Sequence, residues 1–338
     1  MKPKITVIIP TYNAESKLPN TINSIIQQDI GFKNLEIILV DDCSTDNTQN
    51  IIKSYVKEYE NIKGFYLEKN TGAPGRPRNI GIQNASANYI MFSDNDDTYS
   101  KDYCKKMFEV ITKYNVDFVS SRYNLITDNG IKLNNSFLDN YDCQCIKLTS
   151  INEFPEIIFT NANLTIWTKI FKKDFILSNN IFFYEGTFYE DSYFCSNLFL
   201  KSNKFIILTH YSGYNYMFNE SNDNYTFSPK KKYLNDCFIF LNDFESIYQA
   251  NNYNFSFNNA IAEYLVLWTR FFLRNNFSKS DQIKLLKKMN PYYKKYSVKT
   301  RLINNIPLYF NIMINVFMKF FALSIRFELF IVQFYKKI

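Results

Sequence analysis

The sequence has a single histidine, His210, and six cysteines with no Cys-x-x-Cys among them. That excludes zinc-finger and zinc-ribbon architectures, and the scattered thiols read as reduced, cytosolic cysteines instead of a disulfide framework. A Ser-His-Asp or Cys-His enzyme would have to rest everything on His210, so carboxylates are the abundant alternative for catalysis. No stretch reaches the roughly 18 uninterrupted apolar residues of a membrane span. The opening Met1-Lys2-Pro3-Lys4-Ile5 leads into a short strand, without the apolar region of a signal peptide, and a cytoplasmic protein is expected. The loop Gly72-Ala73-Pro74-Gly75-Arg76-Pro77-Arg78-Asn79 has no Gly-Lys-Ser/Thr after it, and the first strand does not enter Gly-x-Gly-x-x-Gly. Walker-type and nicotinamide or flavin sites are therefore set aside. There is no internal repeat.

What is present is 338 residues of globular composition, 46% hydrophobic and 21% charged. The net charge of +7 is unevenly spread: residues 1–200 hold 20 Lys and Arg against 24 Asp and Glu, and residues 201–338 hold 19 against 8. Segregated charge suggests two regions with different partners, the basic one suited to a phosphate-rich acceptor, anionic lipid or nucleic acid. No recognition motif accompanies the charge, so no nucleic-acid partner is expected.

The first 126 residues alternate strand and helix patterns. Ile5–Pro10, Leu35–Val40, Lys63–Leu67, Tyr89–Ser93 and Asp117–Ile126 read as strands. Between them lie helical stretches: one carrying Leu18, Ile22, Ile25 and Ile26, and one from Asp46 to about Glu60 with Ile51, Ile52, Tyr55, Val56 and Tyr59 toward the core. Arg78–Asn84 and Lys101–Tyr114 are the other two. Strands separated by helices predict an α/β protein with a doubly wound, mostly parallel sheet, whose ligands bind beyond the carboxyl ends of the strands. Further on, Ile151–Phe159 and Asp191–Lys201 read as helices, Trp167–Phe171 as the start of a strand or helix, and Phe205–Thr209 as a strand. From Lys230 the pattern is helical, with Pro291 and Pro307 as breaks. The expected division is 1–220, split into 1–126 and 127–220, followed by a basic, aromatic, mainly helical 221–338.

Acidic clusters sit at strand ends. Asp94-x-Asp96 can share a hard divalent cation with water and a substrate phosphate, or can be an acidic turn capping the next helix. Asp41-Asp42 can meet a base N–H or a ribose hydroxyl, while Ser44, Thr45 or Asp46 caps the helix that follows. Arg76 and Arg78 stand in a loop that fits a phosphate, or in a plain surface turn. Glu190-Asp191 suits either the first turn of a helix or a general base among aromatics that would raise its pKa. His210, near a strand end, is either structural or a third metal ligand.

As an ordered set these pieces resemble the inverting glycosyltransferases of family 2, with the nucleotide-sugar-binding GT-A fold. The matching stretches are Val7–Asn13, Val40–Asp46, Arg78–Gly81, Tyr89–Asp97, Trp167–Phe171 and Glu190-Asp191, within residues 4–218. The Gly-Ala-Pro-Gly-Arg-Pro-Arg-Asn loop is most similar to bacterial enzymes that glycosylate wall teichoic acid; capsule and lipooligosaccharide transferases share the rest. The resemblance implies a UDP-sugar donor, Mn²⁺ or Mg²⁺, and a glycan or lipid-linked glycan acceptor. It implies Asp42 at the uracil, with Pro10, Tyr12 and Asn13 lining the nucleotide site. Arg76 and Arg78 fall near the diphosphate or uridine, and Asn95 joins the nucleotide-sugar site. Asp94 lies toward the ribose or the metal, and Asp96 on the metal. Asp191 is the base and Glu190 its neighbour in the acceptor pocket.

Residues 302–338 fall outside the resemblance. Asn311, Asn315, Lys319 and Arg326 recur at helical spacing there, which suits packing on the catalytic domain or on a second copy in a homo-oligomer. It equally suits a peripheral helix on the inner face of the membrane. The alternatives to a transferase are a sugar-phosphate nucleotidyltransferase and a non-catalytic scaffold with a transferase-like fold. The former wants a Gly-rich, Lys-bearing loop where Thr11-Tyr12-Asn13-Ala14 stands.

Overall fold

The computed structural model describes residues 2–127, 130–133, 143–149, 153, 165–187, 189–218, 236–250, 265 and 278–295. Strands β1 (Ile5–Thr11) and β2 (Leu35–Asp41) are buried at every residue. A strand covered on both faces has no polar side to show, which is why both read as unbroken apolar runs. With β3 (Ile62–Tyr66) and β4 (Tyr89–Phe92) they form a parallel block in the order β3-β2-β1-β4. Strand β1 runs through Pro10, paired with Val40, to Thr11.

The crossover helices are α1 (Leu18–Ile26), α2 (Thr48–Glu58) and α3 (Gly75–Asn84). Helix α1 buries Leu18, Thr21, Ile22 and Ile25. Helix α2 buries less than its pattern predicts: only Thr48 and Ile52 are fully covered, Ile51, Tyr55 and Tyr59 are half-buried, and Val56 is exposed. The reason is its place over β2 and β3, with β3 the terminal strand of the sheet. Helix α3 begins three residues before the expected Arg78. Pro77 falls in its first turn, where a missing N–H has no intrahelical partner to lose. Gly81 is required on its inner face, since a Cβ there would lie 2.3 Å from Cγ2 of Ile8 in β1.

Beyond β4 the chain passes through β5 (Thr98–Tyr99), α4 (Tyr103–Tyr114), β6 (Phe118–Thr127), β7 (Gly130–Leu133) and β8 (Cys145–Leu148). Strand β9 (Lys169–Lys172) is inserted antiparallel between β4 and β6, so the sheet is α/β and parallel in its first block but mixed beyond it. Helices α5 (Lys173–Ser178) and α6 (Glu190–Lys201) lead to β10 (Phe205–Met217). Strand β10 is far longer than Phe205–Thr209, because it breaks register between Ile207 and Ser212 and resumes beside β6. That bulge interrupts the apolar run and hides the second half of the strand from a pattern reading.

The chain divides into two compact units, Met1–Glu220 with Asp243–Tyr253, and Ser221–Asn242 with Asn254–Ile338. Helix α7 spans Asp236–Ala250, and helix α8 spans Lys279–Lys295. Asp281, Leu285 and Met289 of α8 are buried at four-residue spacing. Pro291 lies inside α8 instead of ending it. Among the described residues no helix is long and apolar enough to cross a membrane. The expected helix at Ile151–Phe159 (Glu153 apart), Pro307 and the stretch 302–338 lie outside the described residues.

Candidate active site

The acidic clusters stand where β2 and β4 end. Asp41, the last residue of β2, is buried and accepts the Ser44 backbone N–H at 3.0 Å and the Gln49 amide at 2.8 Å. Asp42 is also buried, and its two oxygens accept the Thr71 backbone N–H at 2.9 and 3.1 Å and the Thr71 hydroxyl at 2.9 Å. Burial pushes its carboxyl up, against these hydrogen bonds. The adjoining loops are tied together: Asn13 accepts the Thr45 N–H at 2.8 Å and donates its own N–H to Ser44 Oγ at 2.9 Å. Asn13 and Cys43 both sit at positive φ, 47° and 63°. For a cysteine this conformation is costly and is held by the surrounding bonds. Tyr12 projects from this loop, 47% exposed, and Pro10 is buried within β1.

The second cluster gathers around Arg78, one turn into α3. Its guanidinium is 3% exposed and spans three carboxylates: Nη2 donates to Asp94 at 2.9 Å, and Nη1 donates to Glu190 at 2.8 Å and to Asp191 at 2.6 Å. These partners are 16, 112 and 113 residues away. Asp94 and Asp191 reach the surface, 31% and 28% exposed, while Glu190 is buried. Burial pushes the Asp94 carboxyl up to about 6, opposed by Arg78. It also raises Asp191, again opposed by Arg78 and by a hydrogen bond to Glu190. Glu190 is raised well above the carboxylate range by burial and by the charge of the adjoining Asp191, so that the two titrate as a pair. The Phe183 and Phe194 rings, stacked at 4.2 Å, form the apolar surround, and the Arg78 guanidinium lies 5.3 Å from the centre of Phe183.

Helix α3 is fastened to the segment leading into α6. Asn79 donates to the Phe183 carbonyl at 3.0 Å and to Glu185 at 3.1 Å, and accepts the Phe183 N–H at 2.8 Å. Gly75 makes the approach possible, since a Cβ there would meet the Tyr184 carbonyl at 2.6 Å. Lys169 of β9 is fully buried, its ammonium donating to the Thr165 carbonyl at 2.6 Å, and burial lowers its pKa to about 8.

Around the Asp94-x-Asp96 turn, Asp96 faces Lys17 at 3.2 Å and is partly exposed. Asp97 is buried, accepting the Tyr214 hydroxyl at 2.6 Å and the Met217 N–H at 2.8 Å, and Tyr214 also accepts the Asp94 N–H at 3.2 Å. Tyr214 in turn stacks on Trp167 at 4.3 Å. The turn is thus anchored from β10 as well as from β4.

The expected set is therefore only partly assembled in one place. Asp94, Glu190, Asp191 and Arg78 meet, and Asn13 and Asp42 belong to the neighbouring strand-end loops. Asn95 is half-buried in the Asp94–Asp97 turn, and Arg76 is exposed on the first turn of α3. Arg78 is clasped by carboxylates instead of standing open to an anion. His210 does not join Asp94 and Asp96: it is exposed in the β10 bulge with Nδ1 2.9 Å from the Thr209 hydroxyl. Among the described residues no three His, Cys, Asp or Glu side chains gather as a ready metal site. Thr71, Lys17, Asn79, Asp97, Lys169 and Tyr214 had no predicted site role; Asn79, Asp97 and Lys169 stand inside quoted motifs, whereas Thr71, Lys17 and Tyr214 carry no local signal.

Residues 6–173 match glycosyl transferase family 2. TarS of Staphylococcus aureus (strain MW2), a poly(ribitol-phosphate) β-N-acetylglucosaminyltransferase, is 30% identical over 210 residues. That match takes in 61% of this chain and 34% of TarS, so the chain spans about a third of that relative. TuaG of Bacillus subtilis (strain 168), a protein named for teichuronic acid biosynthesis, is 32% identical over 191 residues, 52% of this chain and 74% of TuaG. The crystal structure of S. aureus TarS 1–349 in complex with UDP-GlcNAc superposes with a TM-score of 0.58 at 24% identity, over 90% of this chain and 76% of that one. Sheet order, strand-end carboxylates and these matches agree: the chain belongs to glycosyl transferase family 2.

Proposed function

We propose that this protein transfers a sugar from a UDP-sugar to a hydroxyl group of a bacterial cell-surface glycan of the teichoic acid type, with inversion at the anomeric carbon. The observation that carries this reading is the meeting of Asp191, Glu190 and Asp94 on one guanidinium at the carboxyl end of β4. The activity for which TarS is named and its complex with UDP-GlcNAc support the choice of donor and acceptor class.

Asp191 acts as the base. Its carboxylate is partly exposed, is paired with Arg78, and has a pKa raised above the ordinary aspartate by burial, which improves proton abstraction near neutral pH. It takes the proton of the acceptor hydroxyl, whose oxygen attacks the anomeric carbon as the bond to the UDP oxygen breaks. Glu190 stands beside it, its Oε1 accepting from the same Arg78 nitrogen that holds Asp191. Asp42, already fixed by Thr71, keeps lone pairs for a uracil N–H, with Tyr12 beside it. Asp94 and Asp96 form an all-oxygen donor pair that suits a hard divalent cation, and the Lys17 ammonium 3.2 Å from Asp96 supports the reading of this turn as a place for positive charge. When bound, Mn²⁺ or Mg²⁺ supplies charge neutralisation to the diphosphate.

The test is UDP release from UDP-GlcNAc, UDP-GalNAc, UDP-glucose and UDP-galactose, with and without poly(ribitol-phosphate), in Mn²⁺ and in EDTA. Cation-dependent release from one donor, stimulated by the polymer, is expected. Silence with all four donors and no UDP binding by calorimetry would overturn the reading. For 302–338 the basic, aromatic composition supports peripheral contact with an anionic membrane, and deleting that stretch should release the protein from anionic vesicles.

A further inference from the structure

We infer that Arg78 is a positioning residue for the chemical step, a clamp that fixes the Asp191 carboxylate against Asp94, and not a ligand of the donor diphosphate. The inference rests on the reading of Asp191 as the base.

Four observations carry it. The guanidinium is 3% exposed, so it presents almost no surface to a ligand, whereas the carboxylates it holds at Asp94 and Asp191 are about ten times more open. Both of its terminal nitrogens are committed, Nη1 to Glu190 and Asp191 and Nη2 to Asp94. A diphosphate could engage it only by displacing carboxylates that carry the same sign of charge. The remaining nitrogen, Nε, is buried without a hydrogen-bond partner. Finally, α3 is locked to the approach of α6 by three Asn79 hydrogen bonds and by the close passage of Gly75. The helix that carries Arg78 is therefore held where the clamp needs it.

The physical consequence is a division of labour. A planar fork with fixed donor directions holds carboxylates from two distant segments in one relative geometry, which a flexible ammonium cannot do. The Asp94 loop and the first turn of α6 are thereby kept in register, and a base that must meet an acceptor hydroxyl in line with the departing oxygen depends on that register. Arg76, exposed one turn edge away on the same helix, is the guanidinium of this loop that an anion can reach.

The experiment compares Arg78→Lys and the double variant Arg78→Met/Glu190→Gln with the wild type, using UDP in Mn²⁺ buffer for calorimetry and UDP release for turnover. Lysine keeps the charge and loses the fork; the double variant removes the cation together with one of its carboxyls, so that either can fold where Arg78→Met alone fails. Calorimetric stoichiometry counts folded sites. The clamp predicts unchanged stoichiometry, a UDP Kd within about threefold of wild type, and a kcat lower by on the order of 10²-fold, the scale of a small misplacement of reacting groups. A Kd weakened about tenfold or more overturns the inference, because Arg78 would then be a donor ligand. Unchanged kcat overturns it, and so does a rate loss that merely follows lost stoichiometry. Asp191→Asn run in parallel separates the two claims: if it retains turnover, the base assignment fails, whereas loss of turnover there with unchanged kcat in the Arg78 variants sinks the clamp alone.

Discussion

The two acidic clusters at the strand ends are held by different chemistry. Asp41 and Asp42 are satisfied by neutral donors from nearby loops and the first turn of α2: backbone N–H groups, a threonine hydroxyl and the Gln49 amide. Asp94, Glu190 and Asp191 are instead held by one buried cation, which joins segments more than a hundred residues apart. Neutral hydrogen bonds fix a carboxylate in place and leave it its charge, as suits a binding contact. Sharing one cation among three carboxyls makes their protonation states depend on one another, which suits proton transfer.

The largest effect that would break this contrast is expected at Asp191. Asp191→Asn should lower kcat by about 10²–10⁴-fold, the ordinary worth of a positioned base, with UDP affinity unchanged by calorimetry. Comparable activity would place the base elsewhere. Next comes the cation pair. Asp96→Asn should raise the Mn²⁺ concentration for half-maximal UDP release by at least about tenfold, since even outer-sphere partners of a metal are worth that much. An unchanged metal titration would remove Asp96 from the site.

Thr71→Val sharpens the comparison from the neutral side. It takes one hydroxyl from Asp42, so UDP affinity should fall several-fold while kcat at saturating donor holds, consistent with a hydrogen bond worth about 1 kcal/mol net. A fall in kcat without a fall in affinity would contradict the binding role of this cluster. Tyr214→Phe should cost about 1–3 kcal/mol of stability in denaturant titrations, because buried Asp97 loses its hydroxyl donor.

The pH dependence is the subtlest test. Burial raises the Asp191 carboxyl from its ordinary 3.8, and the base must be deprotonated to act. Turnover should therefore be lost as pH falls, with its acid midpoint above 3.8 in a kcat profile on intact protein. A midpoint at or below 3.8 would mean that another group limits the rate.

Much of the parallel block was legible because β1, β2 and β4 are short apolar runs covered on both faces, and each ends at a carboxylate or a turn. Helix α2 buries less than its periodicity predicts: Val56 falls on the helical stripe but is exposed, since α2 lies over the terminal strand of the sheet, a fact of position that periodicity does not carry. Pro291 predicts a break, yet α8 continues through it to Lys295. The second half of β10 escaped because its bulge breaks the two-residue alternation. His210 was grouped with the aspartates on sequence grounds alone; the bulge turns it to solvent beside Thr209.

By itself the sequence determined which strands are central and that acidic residues follow them, since burial on both faces and strand termination are local matters of composition and spacing. Only the tertiary structure decided which of those acids meet. Asp94 lies 16 residues from Arg78, and Glu190 and Asp191 lie more than a hundred away. Their encounter depends on β9 entering antiparallel beside β4, on Asn79 fastening α3 to Phe183, and on a glycine at position 75 narrow enough to let the two segments touch. Long-range electrostatics of this kind arise from distances set by the whole fold, and no short window of residues encodes them.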